Sequence, residues 1–173
     1  MKVVVTDACI FIDLYVIGLT EVFFLLEMEV HTTIDVLAEL YSVQKQALQP
    51  FLEKGSLTAH NMEEVDRVAI ATANYPKSLS VGDQTVLYIA EKINAIVLSS
   101  DKVVRNVAGA RSLECHGLFW IFDELTASST LSTVIASEKL LLLAEKNIIY
   151  RNNPKLSGEL TARLKKWKGD QQE

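Results

Sequence analysis

Two short apolar runs in this chain each end on an acid: Lys2-Val3-Val4-Val5-Thr6-Asp7 at the start and Ile96-Val97-Leu98-Ser99-Ser100-Asp101 past the midpoint. Runs of β-branched residues without polar alternation suit strands buried on both faces, the setting of a parallel sheet. Helical stretches separate the strand-like segments, which implies right-handed βαβ crossovers. The expected fold is therefore α/β, with a mostly parallel central sheet between helices in an α/β/α sandwich. Ligands of such sheets gather at the carboxyl ends of the strands. Asp7 and Asp101 both fall there.

The remaining elements follow from periodicity and caps. Ile10–Leu26 reads as one or two helices broken at Gly18 and Thr20. Val30–Thr33 reads as a strand, and Thr33 then caps a helix over Ile34–Leu48. Ser56–Ala59 is a third strand. Glu63–Ala73 is a helix with Val65, Val68, Ala69 and Thr72 expected inward. Ser80 opens a helix running to Lys92 on Val86, Leu87, Ile89 and Ala90. A short helix follows Asp101 through Ala108, and Ser112–Cys115 is a candidate last strand. Three helical pieces remain: Leu118–Leu125, Thr133–Lys146 and Leu156–Trp167. Residues 1–125 are thus read as the core and 126–173 as a helical extension packed on it.

Composition narrows the classes of function. At 173 residues and 49% hydrophobic, the chain can bury one core and is not of the disordered class. Cys9 and Cys115 make neither a disulfide framework nor a zinc ribbon, so a reduced cytoplasm is the expected location. No apolar stretch approaches the roughly 20 residues of a membrane span, and Asp7 interrupts any signal-like start. A net charge of −5 argues against broad adhesion to nucleic acid. The charge is uneven: residues 1–150 carry 11 Lys and Arg against 19 Asp and Glu, whereas Arg151, Lys155, Arg163, Lys165, Lys166 and Lys168 make the tail basic.

Glu39 and Asp83 join the two strand-end acids. Each lies on a helix that connects strands of the same sheet, so each can reach the same edge. The contexts Val4-Val5-Thr6-Asp7, Leu37-Ala38-Glu39-Leu40, Leu79-Ser80-Val81-Gly82-Asp83 and Ile96-Val97-Leu98-Ser99-Ser100-Asp101, taken in order, resemble those of the PIN domain, the nuclease fold of VapC-type toxins of toxin–antitoxin systems. The resemblance covers about residues 1–125. It implies a PIN-like core, a metal-dependent ribonuclease activity, and Asp7, Glu39, Asp83 and Asp101 as catalytic ligands of Mg²⁺ or Mn²⁺. It also implies a cognate antitoxin and, commonly, a homodimer. Hard divalent ions favour carboxylate oxygen and can bridge it to a substrate phosphate. The sequence departs from the family pattern at Cys9, where a small polar residue is frequent, and at Lys102, where a further acid is frequent.

Simpler readings compete. Ser80-x-x-Asp83 is a capping-box pattern, and Asp7 and Asp101 can each cap the helix that follows. Glu39 is the hardest to explain without a partner, because core-type residues flank it. Taken jointly, four acids on one edge favour the metal site. Asp35, one turn before Glu39, is a rival ligand but suits a first-turn acid better. Asp123 and Glu124 read as a solvated face. His31, His60 and His116 share no spacing, which disfavours a zinc site or a histidine base. Arg105 is a candidate phosphate contact beside an equally good surface ion pair. Lys165, Lys166 and Lys168 are candidate RNA-backbone contacts with Trp167 as a stacking surface, against a solvated helix end. The expected function is RNA phosphodiester hydrolysis by a toxin of a toxin–antitoxin pair. The rivals are a PIN-like binding module that no longer cleaves and, more weakly, a phosphotransfer or aspartate-nucleophile enzyme, for which Asp7 lacks a second acid two residues on.

Overall fold

The computed structural model describes residues 1–169. Its elements are β1 (Lys2–Thr6), α1 (Ala8–Val16), α2 (Thr20–Phe23), β2 (Met28–Thr33), α3 (Ile34–Glu39), α4 (Ser42–Glu53), β3 (Leu57–His60) and α5 (Glu64–Thr72). After these come α6 (Val81–Ile93), β4 (Ile96–Leu98), α7 (Lys102–Ala110), β5 (Cys115–His116), α8 (Leu118–Ala127), α9 (Thr133–Lys146), α10 (Ile148–Asn152) and α11 (Pro154–Gly169). The strands form one five-stranded sheet in the order β3-β2-β1-β4-β5, every pair parallel. Val4, Val5 and Thr6 are consecutive and all buried, so β1 is covered on both faces, as its β-branched run requires. The fold is α/β, an all-parallel sheet flanked by helices.

The chain forms two compact units, Met1–Ile12 with Glu27–Leu118, and Asp13–Leu26 with the chain from Phe119 onward. The first holds the sheet. In it α6 packs on β1, β2 and β4 through Val86, Leu87, Ile89 and Ala90, all buried. The second is helical, and α8 belongs to it: Phe119 meets Tyr150 edge-on at 5.4 Å, and Phe122 lies 6.2 Å from Trp167. The sheet unit runs to Leu118, and residues 13–26 group with the later helices.

Four local expectations need correction. The helix expected over Ile34–Leu48 is two helices, because Leu40 is extended and Gln44 accepts from the Tyr41 N–H at 2.9 Å to start α4 afresh. Helix α5 turns its other face inward: Val65 and Val68 are 73% and 58% exposed, while Asp66 and Ile70 are buried. A buried acid is tolerated there because the Tyr88 hydroxyl (2.7 Å), Lys92 Nζ (2.9 Å) and the Glu63 N–H (3.0 Å) all donate to it. Helix α10 was not foreseen. In the helical unit Asp123 is not simply solvated, since Arg163 clamps it with two bonds of 2.9 and 2.6 Å.

Candidate active site

The strand order reverses between β1 and β4. From β1 the sheet grows through β2 to β3 on one side, and from β4 to β5 on the other. At such a switch point the connections leave in opposite directions and open a crevice at the carboxyl ends. Asp7 follows β1 there, and Ser99, Ser100 and Asp101 follow β4. The Asp7 N–H donates to Leu98 O at 3.1 Å, which joins the two strand ends.

Asp7 is 2% exposed. Its Oδ1 accepts from the Cys9 thiol at 2.9 Å and from the Ile10 N–H at 3.2 Å, so it caps α1, and the Ser99 hydroxyl also donates to this carboxylate. Burial nevertheless pushes its pKa up to about 6, and the negative charge of Asp83 adds to the rise. Cys9, where the family often has a small polar residue, therefore donates to the first acid, and its sulfur in turn accepts from the Ser100 N–H at 3.2 Å. Ser99 Oγ accepts from the Asp101 N–H at 3.1 Å. Asp101 Oδ1 caps α7 by accepting from the N–H groups of Val103 (2.7 Å) and Val104 (3.0 Å). Ser99 thus links Asp7 to Asp101.

The other two acids meet at the start of α6. Glu39, the last residue of α3, accepts at Oε1 from the Ser80 hydroxyl (2.9 Å) and the Gly82 N–H (3.2 Å). Asp83 Oδ2 accepts from the Ser80 N–H at 2.8 Å, and Ser80 Oγ accepts from the Asp83 N–H at 3.0 Å. A Cβ at residue 82 would push the Glu39 carboxylate aside and break its contact with the Gly82 N–H. The capping roles are real, and they are compatible with metal binding. In Glu39, Asp83 and Asp101 the hydrogen bonds engage one oxygen and leave the second without a protein donor among the described residues.

The fit of a divalent ion rests on that donor set. Among the described residues no three His, Cys, Asp or Glu side chains close into a ligand cage. Mg²⁺ does not require one, since it dehydrates reluctantly and is usually held by one or two carboxylates and retained water. An all-oxygen set with a desolvated, charge-crowded Asp7 suits such an ion.

Arg105 extends toward this edge: its guanidinium lies against Gly117 and beside Ser99 and Ser100. Its positive charge and the negative charge of Asp7 both reach the Cys115 thiol, which burial pushes up to about 11. Lys102 is exposed at the start of α7. Asp35 is engaged elsewhere, by Arg67 at 2.9 Å. Lys165, Lys166 and Lys168 are exposed on α11, but Trp167 is 2% exposed and offers no stacking surface. The histidines also depart from expectation: β2 and β3 bring His31 Nδ1 within 2.9 Å of His60 Nε2, with Glu29 on the other His31 nitrogen at 3.0 Å. Sequence reasoning missed Gly82, whose role depends on a residue 43 positions away, and no local signal marks it.

No curated protein matches the chain. Among solved structures it is similar to "a domain of a functionally unknown protein" from Methanocaldococcus jannaschii DSM 2661, with 22% identity, 68% of this chain and 91% of that one covered, and a TM-score of 0.46. No helix among the described residues is long and apolar enough to cross a membrane. A family model for the PIN domain matches residues 3–165, well beyond the expected 1–125 and across both compact units. PIN domains are in general nucleases, act on nucleic acids and typically use divalent metal ions. With that match over nearly the whole chain, and with strand-end acids at the switch point of a parallel sheet, the chain belongs to the PIN-domain family.

Proposed function

We propose that this chain is an endoribonuclease dependent on Mg²⁺ or Mn²⁺ and the toxin of a toxin–antitoxin pair. The observation that carries the hydrolytic reading is Asp7, a carboxylate buried at the switch point, held at pKa about 6 and pressed by Asp83. Ionising it at neutral pH costs free energy that a bound cation offsets. Asp7, Glu39, Asp83 and Asp101 are the acids that would hold the ion, one or two of them directly and the others through its retained water. Such an ion, when bound, would supply charge neutralisation at the phosphodiester and would acidify a water for attack. The chain's own groups prepare the site: Cys9, Ser99 and the Ile10 N–H orient Asp7, Ser80 and Gly82 orient Glu39, and the first turn of α7 orients Asp101. Arg105 positions the substrate phosphate, and Lys165, Lys166 and Lys168 hold RNA backbone.

The toxin assignment is supported by the ordered acid contexts that resemble VapC-type toxins. It brings a cognate antitoxin, a homodimer and a cytoplasmic location as further parts of the proposal. One arrangement favours the rival, a PIN-like module that binds without cleaving: Glu39, Ser80 and Asp83 satisfy one another as a helix start without any ion. Cleavage of RNA by the purified chain with Mg²⁺ or Mn²⁺, and its loss in EDTA, decides between the two. Asp101→Asn keeps the α7 cap, because Asn is as good an N-cap, but removes a hard anionic ligand. Cleavage should fall at least about 10–100-fold, the loss usual even for outer-shell partners of a metal. Near-unchanged cleavage by this variant would refute the site.

A further inference from the structure

A cleft of about 430 Å³ opens between α7 and the segment that joins α5 to α6. Its walls include Val103, Asn106 and Val107 from α7, Arg111 just past its end, and Asn74 and Tyr75 from the connection. It begins in the turn of α7 that Asp101 caps, at Val103, and runs about 12 Å along the helix to Arg111 at 1.5 Å per residue. The connection that forms its other wall leads directly into Ser80.

The chemistry of the walls selects a flat, polar-edged ring. The Arg111 guanidinium stacks on the Tyr75 ring, its carbon 4.3 Å from the centroid. Arg111 is fixed there by Ala73 O at 2.7 Å and Glu91 at 3.1 Å, so its charge is already paired and what it presents is a plane. The Tyr75 hydroxyl is buried without a hydrogen-bond partner. Stacking rather than the polar end therefore holds the ring, and small shifts to meet a ligand break no bond. Val103 and Val107 supply apolar wall, while the amides of Asn74 and Asn106 each offer a donor and an acceptor for the edge of a ring. Lys102 and Arg105 on the exposed side of α7 and Lys77 on the connection are exposed cations, suited to an anionic backbone on either flank.

We propose that this cleft takes one nucleobase of single-stranded RNA a few nucleotides away from the phosphate that is cut, because Arg111 lies about 15 Å along α7 from Asp101. The proposal rests on the nuclease reading for its substrate and adds the subsite that grips it. Aromatic and guanidinium planes are the usual platforms for unstacked bases, and Asn amides read base edges.

The test measures fluorescence anisotropy of a labelled single-stranded oligoribonucleotide on the full chain carrying Asp101→Asn, in Mg²⁺, against a strand of equal length with abasic positions. The base-bearing strand should bind about 10-fold tighter or more. Adding Tyr75→Leu should erase that difference, whereas Tyr75→Phe, which keeps the stack, should preserve it. If Tyr75→Leu does not fold, Ala110→Phe, at an exposed position on the cleft wall, fills the space and should erase the difference instead. Equal affinities for the two strands, or discrimination that survives the folded variants, overturns the proposal and leaves the cleft to a protein segment. Wild-type cleavage is assayed in parallel. Cleavage without base discrimination overturns the cleft alone, and base-dependent binding without any cleavage upholds the cleft and overturns the nuclease reading.

Discussion

Asp7 binds its proton more tightly in the folded chain than in the unfolded one, with a pKa near 6 against the ordinary 3.8. Between those values the native state carries more protons, so metal-free stability falls as pH rises through the window. The loss is complete above about pH 6 and amounts to on the order of 2–3 kcal/mol at most. Asp7→Asn removes the ionisation and keeps an oxygen for the Cys9 and Ile10 donors. In EDTA at pH 7.5 thermal melts should show the variant as stable as the wild type or more so, and at pH 4 the advantage should vanish. Added Mn²⁺ should raise the wild-type Tm and leave the variant unmoved. Gly82→Ala tests the neighbouring contact. Its Cβ would displace the exposed end of Glu39, so urea melts should shift by less than about 1 kcal/mol while cleavage should fall.

At the scale of elements, one buried acid ties α5 to α6. Asp66 accepts from Lys92 and Tyr88 on α6 as well as from its own helix start, and these bonds lower its pKa to about 2. The unfolded chain therefore binds the Asp66 proton more readily, and the stabilisation is present above pH 3.8 and is lost as pH falls toward 2. Asp66→Asn should lower stability at pH 7 and flatten the acid limb of a stability-against-pH curve. A variant with unchanged melting at pH 7 would show that the pairing contributes nothing. This acid also explains why hydrophobic periodicity mistook the inner face of α5. The pattern counts valines, whereas Asp66 reaches the Tyr88 and Lys92 donors on α6 only by turning inward. The break between α3 and α4 escaped notice for a related reason. Apolar spacing continues across it, and only the cap at Tyr41 and Gln44 marks the new start.

Across the whole molecule, the PIN match over residues 3–165 takes in most of the helical unit. Its α11 carries two separable roles. Trp167 is buried beside Phe122, and Trp167→Ala should cost about 3–5 kcal/mol in a denaturant melt. Lys165, Lys166 and Lys168 are exposed, and their joint replacement by Gln should leave stability nearly unchanged. If they contact RNA backbone, the slope of log affinity against log salt for a single strand should flatten by up to about 2. An unchanged slope would assign them to a solvated helix end.

What the sequence determined by itself is what local rules govern. β-branched runs closed by Asp7 and Asp101 specify buried parallel strands with acids at one edge, because burial on both faces leaves no other pairing and strand ends share a side. Caps at Thr33, Ser80 and Asp101 are legible for the same reason, since their bonds span two or three residues. Tertiary structure decided whatever joins distant positions. Ser99 couples Asp7 to Asp101, Gly82 makes room for Glu39, His31 finds His60 through strand register, and Trp167 turns into the interior. These pairings are set by packing of elements far apart along the chain, and composition and periodicity carry no record of which distant side chain arrives.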